Sequence, residues 1–139
     1  HTLMSLDLVC NHIGDEGAVV PSTSLQSNHT LRYLNLDRNH IRAEGAEALA
    51  TSLRSNHTLT SLNLDHNSIG DQGADSIISS LALKERRFVC NHIGDEGAVV
   101  PSTSLQSNHT LRYLNLDRNH IRAEGAEALW LDEEGEGRR

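Results

Sequence analysis

Nine histidines, two cysteines and a recurring Asn-His-Thr are the side chains of this 139-residue chain whose types could support chemistry. Their spacing argues against most of it. His12, His40, His92 and His120 each precede an isoleucine, while His1, His29, His57 and His109 each open a Thr-Leu segment. Recurrence at a fixed interval draws a stripe along a surface instead of gathering donors around one point. A zinc-type site needs close pairs such as Cys-x-x-Cys or His-x-x-x-His, and the sequence has neither. His66 stands outside both rows and is expected alone on the strand-side surface. Cys10 and Cys90 occupy equivalent places in two copies of one segment, so they are expected as reduced thiols in a cytoplasmic protein and not as part of a disulfide framework. Nothing resembles a nucleophile elbow or a Gly-rich phosphate loop. Asn28, Asn56 and Asn108 begin Asn-x-Thr sequons, but these come with the repeated Ser-Asn-His-Thr, and no glycan is expected. The expectation is a non-enzyme, with no catalytic residue, cofactor or metal.

The elements that carry these rows are legible in His29–Asn56. Leu34 and Leu36 lie two apart and share one side of an extended segment. Asn39 and Ile41 follow where the backbone turns. Gly45-Ala46 is expected to open a helix, because Ala46, Leu49, Ala50 and Leu53 recur at offsets of three and four. One such strand-turn-helix unit cannot bury both its faces alone and needs a like neighbour on each side.

The chain supplies those neighbours. Units 1–28, 29–56 and 57–84 are 28 residues long, with Asn11, Asn39 and Asn67 in phase. Two further units are expected at 85–108 and 109–131, giving a repeat array over 1–131 and an acidic, disordered tail over 132–139. The pattern LxxLxLxxNxIxxxGAxxLAxxLxxN resembles the ribonuclease-inhibitor type of leucine-rich repeat. The wording N-H-T-L-x-x-L-N-L and I-x-x-x-G-A is most similar to the arrays of NOD-like receptors. The resemblance implies an α/β solenoid, with short parallel strands on the inner face and helices on the outer face. It implies protein binding, or, by likeness to the Ran GTPase-activating protein, activation of a small GTPase.

Each slot also has a physical job. Asn11, Asn39, Asn67, Asn91 and Asn119 are expected inside the bend, where their amides would satisfy backbone groups of the neighbouring turn. Gly17, Gly45, Gly73, Gly97 and Gly125 mark helix starts where a side chain would crowd the adjacent unit. Pro21, in the slot of Leu49, predicts a short, kinked or 3₁₀ segment, repeated at Pro101. The register breaks at residues 82–88, because Asn91 follows Asn67 by 24 residues and Arg86 falls in a leucine slot. Either a helix running from about Ala74 to Arg87 or a short, frayed strand fits that junction, which is expected to be the weakest joint. Val89–Leu129 repeats Val9–Leu49 without one difference over 41 residues. Such identity, joined off the repeat boundary, suggests a fragment or a freshly rearranged product with no evolved function as a further alternative. Trp130 is a candidate lid over the last leucines, and the first unit has no cap. Uncapped ends open a route to end-to-end self-association.

A net charge of -7, from 12 basic and 19 acidic residues, argues against nucleic acid, which needs clustered cations. No stretch is apolar for long enough to span a bilayer, so no membrane role is expected. What remains is recognition by the inner face, between the leucines. The residues expected there are Asp7 and Val9 in the first unit; Tyr33, Asn35, Asp37 and Arg38 in the second; Ser61, Asn63, Asp65 and His66 in the third; and Tyr113, Asn115, Asp117 and Arg118 in the fifth. Tyrosine and arginine carry binding energy at interfaces disproportionately.

Overall fold

The computed structural model of the protein describes residues 3–78, 85–87, 91–94 and 113–121. Five strands of three residues each, β1 (Ser5–Asp7), β2 (Tyr33–Asn35), β3 (Ser61–Asn63), β4 (Glu85–Arg87) and β5 (Tyr113–Asn115), lie side by side in chain order in one parallel sheet. Between them run α1 (Gly14–Ser27), α2 (Ala43–Leu53) and α3 (Gly70–Ile78), with α2 packed between α1 and α3. This is the α/β leucine-rich solenoid that the leucine periodicity requires. In the second unit Leu31, Leu34, Leu36, Ile41, Ala46, Leu49, Ala50 and Leu53 are all buried. Each leucine taken out of water there contributes about 1.5–3 kcal/mol. Leu59, Leu62, Leu64, Ile69, Ala74 and Ile77 repeat the arrangement one unit on.

Two rows of asparagines join the units. The Oδ1 of Asn39 accepts from the backbone N–H of Asn11 and Ile13 at 2.8 and 3.3 Å, and its Nδ2 donates to the Leu8 carbonyl at 2.8 Å. Asn67 does the same for Asn39, Ile41 and the Leu36 carbonyl. Asn91 and Asn119 continue the row. The second row was not apparent in the sequence. Asn56 is buried, its Nδ2 donating to the carbonyls of Leu25 and Asn28 and its Oδ1 accepting from the N–H of Thr58 and Leu59.

The helices begin earlier than the Gly-Ala pair suggests: α2 starts at Ala43 and α1 at Gly14, so Gly45 and Gly17 lie within the first turn. Gly45 and Gly73 are still held to a hydrogen by the neighbouring unit. A Cβ at Gly45 would sit 2.7 Å from Asp15 Oδ1, and one at Gly73 would sit 3.1 Å from the Ala46 Cβ.

Two expectations are corrected. Pro21 does not shorten the first helix into a 3₁₀ segment, because α1 is a 14-residue α-helix that runs through it. One lost hydrogen bond is outweighed by Ala18 and Leu25, which bury the helix stripe on either side and pack it against the core. At the junction, the helix running on to Arg87 is excluded, since residues 85–87 form β4, paired in register with both β3 and β5. Parallel pairing on both edges supplies backbone partners that outweigh the local helix preference of Lys-Glu-Arg-Arg. Arg86 takes the register position of Leu62 and Leu114. The Pro101 segment, Gly97 and Gly125, Cys90, the Trp130 lid and the 132–139 tail lie outside the described residues.

Candidate functional site

The in-phase strands turn the sequence pattern into two rows. Ser5, Tyr33, Ser61, Glu85 and Tyr113 share one register line, and Asp7, Asn35, Asn63, Arg87 and Asn115 share another. Residues two apart on a strand share a face, so Tyr33, Asn35, Ser61 and Asn63 belong to the side opposite Leu34 and Leu62. Glu85 and Arg87 were not among the expected residues. Counting back from Asn91 would have found them, since it already placed Arg86 in the leucine slot.

Burial divides the expected residues by role. Asn35, Asn63 and Asp65 are buried, at 8%, 8% and 4% exposure, and offer a partner little surface. The Oδ1 of Asn35 accepts the Asp37 N–H at 3.0 Å, that of Asn63 accepts the Asp65 N–H at 2.9 Å, and that of Asn115 accepts the Asp117 N–H at 2.9 Å. Asp7 holds the Val9 N–H in the same way. These short side chains shape the bend after each strand. Tyr33 is half-buried, whereas Arg38, Asp117 and Arg118 are exposed.

At the end of the strands, polar side chains of two units meet. The Asp37 carboxylate lies 2.9 Å from His66 Nδ1 and 3.4 Å from an Arg38 guanidinium nitrogen. His66 is therefore not alone; its partner sits one unit away. Arg38 and His66 occupy the same slot, and both have left-handed backbone, at φ 57° and 54°. A non-glycine residue there costs about 1–2 kcal/mol.

The histidine row next to this cluster forms stacked pairs and not a ligand set. The His12 and His40 rings stack with centroids 5.2 Å apart, and His40 Nε2 lies 3.1 Å from His12 Nδ1. His92 and His120 stack at 5.6 Å. Ser68 fills the slot between the pairs. Among the described residues, no group of three or more His, Cys, Asp or Glu could hold a metal ion. None of the described helices is long and apolar enough to cross a membrane.

Residues 1–20, 27–50, 55–77, 87–100 and 107–129, well over half the chain, match the family described as Leucine Rich repeat. The chain belongs to the leucine-rich repeat family. Among solved structures, this leucine-rich repeat chain is similar to leiomodin-1 actin-binding site 2, at 28% identity and a TM-score of 0.79, covering 91% of this chain and 78% of that one. It also has the fold of the tropomodulin C-terminal domain of Caenorhabditis elegans, with a TM-score of 0.78 at 12% identity, covering 91% and 80% of the two chains. No curated protein matches it.

The leucine-rich repeat also has a cap that sequence reasoning missed. Asp15 Oδ1 of the first unit accepts the backbone N–H of Arg42 and Gly45 at 2.6 and 3.2 Å, closing the start of α2 from outside its own unit. Asp71 Oδ1 takes the Gly94 N–H in the same way at 2.6 Å. Asp15 and Asp71 lie 56 residues apart, two repeat periods, which was the available signal.

Proposed function

We propose that the chain is a non-enzymatic scaffold that holds a protein partner on its strand face. One observation carries this reading: Asp37 gathers Arg38 of its own unit and His66 of the next into one polar cluster at the end of the strands. Side chains already tied together lose less conformational freedom when a partner lands, so more of the contact energy appears as affinity. The surface offered is Tyr33, Asp37, Arg38 and His66, continued by Asp117 and Arg118. Asn35, Asn63, Asn115 and Asp65 shape the bends behind it, Asp7 extends it along β1, and the side chain of Tyr113 lies outside the described residues. The likeness to leiomodin-1 actin-binding site 2 makes actin the first partner to try. The full helices after β1 and β2, 14 residues in α1 and 11 in α2, support the ribonuclease-inhibitor type of repeat, and the Asn-His-Thr-Leu wording supports a NOD-like-receptor kinship. A cytoplasmic setting accords with Cys10 being an exposed free thiol.

The test is binding to actin monomers and filaments, by the wild-type chain and by a Tyr33→Ala/Asp37→Ala double variant. The expected result is binding by the wild type and at least tenfold weaker binding by a double variant with an unaltered thermal midpoint. Absence of wild-type binding would remove actin, and equal binding by both chains would remove the strand face. Acceleration of GTP hydrolysis by a Ran-type GTPase would replace this reading with the activator alternative; the expectation is no change. Lack of a cooperative melt would favour a rearranged chain without evolved function.

A further inference from the structure

One slot after each strand end carries, in stack order, His12, His40, Ser68, His92 and His120. Neighbouring strands lie about 4.8 Å apart, so rings one place apart can meet, whereas His40 and His92, two places apart, are separated by about 10 Å. The single serine therefore divides the row into two pairs. His40 Nε2 lies 3.1 Å from His12 Nδ1, with the two rings within 11° of parallel. His92 and His120, the same two positions in the identical segment 89–129, face each other with ring centroids 5.6 Å apart. All four histidines are exposed. His12, His40 and His92 leave the chain from left-handed backbone, at φ 53°, 59° and 59°, so the bend sets the direction of each ring. Repetition alone does not produce such pairs. His29 and His57 are also exposed and one repeat apart, yet no ring contact joins them among the described residues.

We propose that each pair is a two-imidazole chelate for a divalent transition ion of the copper class. Two imidazole nitrogens on adjacent corners of a square site, each about 2.0 Å from the ion, stand about 2.9 Å apart. The 3.1 Å between His12 Nδ1 and His40 Nε2 is close to that span. Both rings are free to turn in solvent until their lone pairs meet at the ion. His12 binds through Nδ1 and His40 through Nε2; His40 then carries its proton on Nδ1, so the pair gives up no proton. Two donors do not enclose an ion, and water completes the sphere. Imidazole ligation in a square-planar or tetragonal arrangement favours Cu(II), which also binds such donors more tightly than Ni(II) or Zn(II). The gap at Ser68 makes two separate sites instead of one four-histidine centre. One ion spans the first and second units and the other spans the fourth and fifth.

The experiment titrates the full, untagged chain with Cu(II) in a non-coordinating buffer at neutral pH, counts the ions bound and records their electron spin resonance. His40→Asn and His120→Asn are the diagnostic variants; asparagine tolerates the left-handed backbone at position 40, so the bend is kept. Each variant should lower the number of bound ions by one, and the double variant by two. His57→Asn, in the row without ring contacts, should leave the number unchanged. Spin-echo modulation of the wild type should show two imidazole nitrogens on the ions that these variants remove. Those ions lie three strand spacings apart, about 14 Å, and should broaden each other's spectra, an effect that either single variant abolishes. Absence of copper binding would overturn the proposal. So would a count that neither His40→Asn nor His120→Asn lowers, one that His57→Asn lowers equally, or a single imidazole nitrogen on each of those ions.

Discussion

Asn67 Oδ1 accepts the backbone N–H of Asn39 at 3.1 Å, and the Nδ2 of the same side chain donates to the Leu36 carbonyl at 3.0 Å. One carboxamide thus satisfies both a donor and an acceptor of the preceding unit at a depth where water cannot, since Asn67 is only 4% exposed. Asn67→Ala leaves these groups unpaired in the joint between the second and third units. It should destabilise the chain by about 2–4 kcal/mol in chemical denaturation. Asn11→Ala, at the exposed end of the row, should cost well under half of that.

Gly73 lies where α3 meets α2. A Cβ there would come within 2.9 Å of Ile69 Cβ, 3.1 Å of Ala46 Cβ and 3.3 Å of Ala43 Cα. Alanine is the better helix former by about 1 kcal/mol, but overpacking costs about 1–3 kcal/mol. Gly73→Ala is expected to lower the denaturation midpoint. A raised midpoint would mean that the two helices can move apart freely.

The Asp15 cap makes a similar claim about the first joint. Asp15→Ala removes the acceptor for Arg42 and Gly45 N–H and should cost about 1 kcal/mol, with faster amide exchange at Arg42. Asp15→Asn, which keeps an oxygen, should recover most of the loss.

At Arg38 the backbone has φ 57°. Arg38→Gly removes the left-handed strain, and the ion pair it gives up is half-exposed and weak. Relief of strain exceeds the added freedom of the unfolded chain, so stability should rise by up to about 1 kcal/mol. Partner binding should weaken in the same variant, separating the residue's role in recognition from its effect on the fold.

The repeat was legible because Leu34, Leu36, Asn39 and Ile41 recur in phase and each slot has a single physical solution. Local propensity misled where the stack decides. Pro21 and the Lys-Glu-Arg-Arg run were read from their own preferences, yet α1 and β4 take the form that the neighbouring units impose. The strand face was legible by position, through the two-residue alternation. Its division of labour was not, because a pattern shows which way Asn35 and Asp65 face but not that the bend covers them. The Asp37–His66 pair was hidden for a related reason: its members lie 29 residues apart and belong to different rows of the repeat.

Native-state hydrogen exchange on the intact chain tests most directly whether the units form one stacked body. The amides of Asn39 and Ile41, held by the Asn67 carboxamide of the next unit, should exchange with the free energy of global unfolding. Exchange of these two amides as fast as that of an unprotected chain would contradict the account.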